Sequence, residues 1–266
     1  MAETLTFALV PSPGKRVRFD ALEAAIHEMR GLLRDVDRSV FRSEGVVRQR
    51  QWYVRRLSSS NPTVVLEADE ETAPLEHRTN QTVFDGIQGI VQGDSTAPPP
   101  FFSDQELQGL LDIRRRVLAK GLDRIDVGTD DRADTVPIAP SIEERVNRIL
   151  RGTVVALGSL DGELDAINTR KQPYFTMWET MSSQAVRVSF GSDKIDEVKG
   201  LLHRSVRVSG LVSYFSNGRP RSISRMEMIK PLATSSGTDR DYWGSVPRLR
   251  TLEDTAELLR RGFGDR

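Results

Sequence analysis

Between Val206 and Ile223 the chain reads VRVSGLVSYFSNGRPRSI. Apolar and polar residues alternate through its first half, an Asn-Gly pair follows, and a second run studded with arginine begins. Successive side chains of a strand point to opposite faces, so this alternation buries one face and wets the other. Asn-Gly accepts the positive φ values that a tight hairpin turn demands. The stretch therefore fixes two antiparallel strands. Upstream, residues 153–168 read as a long strand interrupted by glycine, and YFTMWE (174–179) and AVRVSF (185–190) as two short ones. DKIDEVKGLLH (193–203) reads as a helix with Ile195, Val198, Leu201 and Leu202 on one side. SISRMEMIKPL completes the hairpin. Three strands, a helix and two strands form the element order of a five-stranded Greek-key barrel.

A chain of 266 residues is long for one compact unit and suits two of roughly 100–150 residues each. The part before Gly152 has a different, α+β character. Leu5–Val10 reads as a strand ended by PSPGK, where two prolines withhold ladder donors. From Phe19 to about Val40, Leu22, Ile26, Met29, Leu33 and Val36 recur at helical spacing. VVRQRQWYVRRLSSSNPTVVLEA reads as two strands joined at Ser-Ser-Asn-Pro. A helix near Thr82–Val91 is weakened by Gly86 and Gly89. After the stiff STAPPPFF connector, Ser103 and Glu106 spell a capping box. The helix it starts buries Leu107, Leu110, Leu111, Ile113 and Val117 and turns Arg114, Arg115 and Arg116 outward. Residues 123–140 mix a short strand with an acidic loop, and Ser141 with Glu144 offers a second capping box for a helix to Leu150. The expected organisation is an α+β domain over 1–152, a β-barrel of five strands and one helix over 153–232, and a flexible linker with a short tail helix over 233–266. The barrel pattern is complete without the rest, so a fragment cut after Leu150 is expected to fold alone.

Composition removes several function classes. The chain has no cysteine, which excludes disulfide scaffolds, thiolate metal sites and cysteine nucleophiles and is compatible with a reducing cytoplasm. MAETLTFALV lacks the basic start and apolar core of a secretory signal. No run approaches the roughly 20 apolar residues that cross a bilayer. A cytoplasmic protein without membrane contact is expected. Basic and acidic residues balance at 38 each, which argues against polyanion binding by bulk charge but leaves room for a local patch. Residues 153–232 carry 11 Lys and Arg against 8 Asp and Glu, whereas 1–152 carry 21 against 24.

Chemistry-bearing motifs are scarce. No phosphate-binding glycine loop, GxSxG or HExxH occurs. His27, His77 and His203 fall in separate segments without ligand spacing. Asp161, Glu163 and Asp165 share one strand face, which suits a divalent cation or, more commonly, a solvated polar face. Asp130, Asp131 and Asp134 form an acidic turn. No catalytic residue, metal ligand or cofactor site emerges, and an enzyme is not expected. A metal-dependent hydrolase built on the strand carboxylates is the least favoured reading.

A Gly-bearing first strand (GSLDGELDAI), an aromatic second strand (YFTMWE), a third strand ending in Phe (VRVSF) and VRVSGLVSYFSNGRP together resemble a known family. They resemble the OB-fold domains of the large subunit of exonuclease VII and of bacterial single-strand-binding modules. The resemblance covers about residues 153–232, and nothing here matches the nuclease's catalytic part, so nuclease activity is not implied. It implies a binding face on strands two and three, with the loops between strands one and two and between four and five. Alternation turns Phe175, Met177, Val186, Val188 and Phe190 inward and Tyr174, Thr176, Trp178, Arg187 and Ser189 outward. The loop NTRKQP adds Arg170 and Lys171, and SNGRPR adds Arg219 and Arg221. Aromatics for base stacking and cations for phosphates then share one face, as binding of single-stranded DNA or RNA requires. A one-residue slip in the second strand instead buries Tyr174 and Trp178.

The last segment adds a second possibility. ATSSGTDRD has the composition of a flexible linker. A short helix opens at Thr251, where Leu252, Ala256 and Leu259 form a stripe widened by Leu258. So short a helix needs something to pack on, either its own domain or a partner's groove. Such tails loosely resemble those of small bacterial antitoxins, which makes Leu252, Leu258 and Leu259 a candidate partner-binding stripe. Two functions stand. One is a non-enzymatic protein whose barrel contacts single-stranded nucleic acid; the other is an antitoxin-like protein-interaction module.

Overall fold

Leu5, Phe7 and Leu9 alternate along strand β1 (Leu5–Pro11) and are fully buried. A strand with so dry a face belongs in the middle of a sheet. Its antiparallel neighbours are β3 (Thr63–Ala68) and β4 (Leu122–Thr129). Strands β2 (Trp52–Ser58) and β5 (Val136–Ile138) form the edges, in the order β2-β3-β1-β4-β5. The computed structural model describes residues 4–44, 51–58, 62–68, 73–130 and 132–232. The tail from 233 onward, with Leu252, Leu258 and Leu259, lies outside the described residues, as does Asp131.

Four helices share the core of this sheet: α1 (Phe19–Ser43), α2 (Ala73–Gln92), α3 (Asp104–Asp112) and α4 (Ile142–Arg151). The buried stripe of α1 is Ala21, Ala25, Met29, Leu32, Leu33, Val36 and Val40. Ile26 is exposed and Leu22 only half buried, so the stripe is rotated from the expected one. Helix α2 begins well before Thr82. Its Gly86 is a packing device, since a Cβ there would lie 2.0 Å from the Phe102 ring.

Helix α3 starts with the expected capping box: Gln105 N–H donates to Ser103 Oγ at 3.2 Å, and Ser103 N–H donates to the Glu106 carboxylate at 2.7 Å. Past Asp112 it widens into a π-helical turn over Ile113–Val117 and ends at Gly121, whose φ is +95°. The second capping box does not form. Ser141 has helical φ and ψ, so its side chain makes no cap bond.

Strands β6 (Val154–Asn168), β7 (Tyr174–Glu179), β8 (Ala185–Ser189), β9 (Ser205–Tyr214) and β10 (Pro220–Pro231) pair in a closed ring, β10-β8-β7-β6-β9. All contacts are antiparallel except β8 with β10. The described residues are therefore of mixed α and β content, with two five-stranded sheets and five α-helices. Gly162 permits the tight β6–β7 contact, because a Cβ there would sit 2.2 Å from the Trp178 carbonyl oxygen.

Leu164, Phe175, Met177, Val186, Val188, Val206, Val208 and Ile223 fill the ring, and Val198 of helix α5 (Ile195–Lys199) joins them. Helix α5 is shorter than the pattern of 193–203 suggests. Gly200 ends it and His203 takes a φ of +59°, which leaves Leu202 exposed rather than on the buried side. The two sheets have separate cores but residues 1–232 form one compact unit. Among the described residues no helix is long and apolar enough to cross a membrane.

Candidate nucleic-acid interface

The pleat of β7 and β8 distributes its side chains as alternation requires. Phe175, Met177, Val186, Val188 and Phe190 are buried within the ring, and Tyr174 pairs across to Ser189 and Thr176 to Arg187 on the outside. Trp178 also lies on the outer face, yet only 4% of it is exposed. Its placement on a solvent-facing surface is corrected. The C-terminal turn of α1 covers it, with the Arg42 guanidinium 5.4 Å from the indole centroid. The indole Nε1 has no hydrogen-bond partner among the described residues. A base cannot stack on a ring that a helix already covers.

The cover is held by charge. Arg42 pairs with Glu163, and Arg38 with Asp165 at 3.7 Å. Four residues of helix rise about 6 Å and two residues of strand about 6.6 Å, so cations at i and i+4 meet carboxylates at i and i+2. The third carboxylate, Asp161, receives two bonds from Arg207 at 2.7 and 2.6 Å. Hydrogen bonding to Arg207 holds the Asp161 pKa below the usual carboxylate range. All three carboxylates thus have arginine partners, and among the described residues no group of acids or histidines could hold a metal ion. Arg42 and Arg38 were missed in the sequence reading, although their spacing against the alternating acids was visible.

Arg219 and Arg221 are likewise turned to an internal use, which corrects their placement as phosphate contacts. The β9–β10 loop carries them into the helical half. Arg219 Nη2 donates to the carbonyl oxygens of Pro98 and Pro99 at 2.6 and 2.9 Å. Burial lowers its pKa from the ordinary guanidinium value. Arg221 donates to Asp104 at 2.7 Å and to the Leu150 carbonyl at 3.0 Å. Phe215, at the end of the same hairpin, is buried in the core of the other sheet. Among the outward-turned arginines of the π turn, Arg114 and Arg115 meet Glu143, and Arg116 meets Glu28.

Four expected residues stay on one open surface. Tyr174 is half buried, and the exposed Arg187 lies over its ring, the guanidinium carbon 3.7 Å from the centroid. Arg170 and Lys171 are exposed on the adjoining loop, where Arg170 N–H donates to Asn168 Oδ1 and Lys171 takes a φ of +56°. None of these three cations has an ion pair among the described residues. His27 and His203 are exposed and far from this loop in sequence; the side chain of His77 lies outside the described residues. Comparison with protein-family models and with curated proteins finds no match for the chain.

Proposed function

We propose that the ring of β6 to β10 is an OB barrel that binds a short stretch of single-stranded nucleic acid, without catalysing a reaction. Five strands in a closed Greek-key ring, with a helix between the third and fourth, support the fold assignment. The binding reading rests on one observation: Arg187 over the Tyr174 ring, with Arg170 and Lys171 on the adjoining loop, three cations without acidic partners among the described residues. A guanidinium plane backed by an aromatic ring offers its other face to an unstacked base. The flanking cations meet the backbone.

The site is small, because α1 and the β9–β10 contacts occupy the rest of the expected face. Two phosphate contacts on a single strand, from Arg170 and Lys171, give a slope of about +1.4 in log Kd against log salt. Binding is therefore weak and best seen at low ionic strength. Fluorescence anisotropy with dT and rU oligonucleotides tests this. Replacing Arg170 and Lys171 with alanine should weaken both probes and flatten the slope by about 1.4. Tyr174→Ala should cost roughly 1–3 kcal/mol with the slope unchanged. Salt-insensitive binding, or none at low salt, would remove the proposal.

A further inference from the structure

The first half of β6 has an open edge. Toward β9 it pairs from Val154 to Glu163, but toward β7 only from Gly162 to Asn168, with one more bond from Thr180 N–H to the Asp161 carbonyl. From Val154 to Leu160 the second edge has no strand beside it among the described residues. The side chains there are apolar and wet: Val154 is 64% exposed, Val155 52% and Leu157 74%. An open edge with exposed valine and leucine is a template for another strand, and proteins ordinarily blunt such edges with charge.

One edge of the other sheet shows that protection. Strand β2 also exposes Tyr53, Val54 and Leu57, but carries Arg55 and Arg56 in its middle. Residues 152–160 contain no charge, in a chain that is 29% charged, so β6 lacks the guard that β2 has. Charge returns only at the ends of the segment, with Arg151 before it and Asp161 after it. That arrangement is self-complementary. An antiparallel pairing of two copies about Ala156 sets Val155 opposite Leu157 twice, on the outer face. It also brings Arg151 of each copy toward Asp161 of the other.

We infer that two copies of this chain associate by pairing the β6 edges, antiparallel and about a two-fold axis at Ala156. A two-fold contact of this kind uses one patch twice and closes without further growth. Main-chain bonds join the strands and the apolar pairs are covered. The inference does not depend on nucleic-acid binding.

The absence of native cysteine makes the register testable. Two residues facing each other across an antiparallel pair have Cα atoms about 4.5–5.5 Å apart, within reach of a disulfide. Under mild oxidation the full chain with Ala156→Cys should form a covalent dimer. Val154→Cys, which faces Gly158 in this register, should not. Sedimentation should give the wild type twice its 29.8 kDa mass, and Val155→Lys with Leu157→Lys should return it to the monomer with unchanged far-UV circular dichroism. A wild type that stays monomeric at high micromolar concentration overturns the inference. So does a dimer that survives the two lysines, which places the contact elsewhere, or equal cross-linking at 154 and 156, which removes the register.

Discussion

Glu106 sits in a dry pocket, with its carboxylate accepting from the backbone and hydroxyl of Ser103 and from Ser39 Oγ at 3.5 Å. Burial raises its pKa, and the hydrogen bonds offset only part of that effect. The folded protein therefore holds a proton that the unfolded chain releases above about pH 4.3. Its contribution to stability is fully present below that pH and is lost as the pH rises toward the raised value. Glu106→Gln fixes the uncharged form and leaves an acceptor for Ser103. Denaturant midpoints measured from pH 4 to 8 should fall less in the variant than in the wild type, and parallel profiles would refute the raised pKa. The neighbouring residues show what one sequence can display. Alternation puts Trp178 outside the ring, but a strand's period does not say whether its outer face meets water or another element. The covering arginines have a signal of their own, written in two segments that lie more than a hundred residues apart, Arg42 and Glu163.

The β9–β10 hairpin was legible as an element and not in its destination. Its alternation and Asn-Gly turn predict two strands, and Gly218 takes a φ of +80° in the turn. Phe215, Arg219 and Arg221 look like a solvent loop because nothing local marks a contact with the Pro98–Pro99 carbonyls or Asp104. Only a non-local packing decision makes Phe215 a core residue. Truncating it should leave a cavity: Phe215→Ala is expected to cost about 3–5 kcal/mol in equilibrium unfolding. The same variant should keep the Tyr174–Arg187 surface, so oligonucleotide binding by the folded fraction should not change. A loss below about 1 kcal/mol would mean that the hairpin tip is exposed in solution. The helices divide in the same manner. The α3 capping box is a contiguous pattern and forms as read, whereas Ser141 and Glu144 match the pattern but the backbone before α4 is already helical.

Two hydrophobic cores lie within the one compact unit of residues 1–232, and the junction between them is crossed by buried side chains. Arg42–Glu163, Arg38–Asp165, Arg219 with the proline carbonyls and Arg221–Asp104 all cross it, as do Phe215 and the covered Trp178. An exposed ion pair is worth about 0–1 kcal/mol, so the surface bridges alone would not unite the halves. The buried aromatics would, because a buried Phe side chain contributes about 1.5–3 kcal/mol. A fragment of 153–232 would open Phe215 and Trp178 to water, and the expectation that it folds alone now carries that penalty. The tryptophans offer a direct measurement. With Trp243 changed to Phe, Trp52 reports the first sheet, where its indole N–H donates to Asp37, and Trp178 reports the junction. Changing Trp52 or Trp178 to Phe in turn isolates each signal in the full chain. Because the halves share buried surface, the two fluorescence transitions should coincide in denaturant midpoint and slope, as one cooperative unit requires. Midpoints that separate, with Trp178 exposed first, would show the junction opening before either core melts, and the barrel would then stand as an independent folding unit.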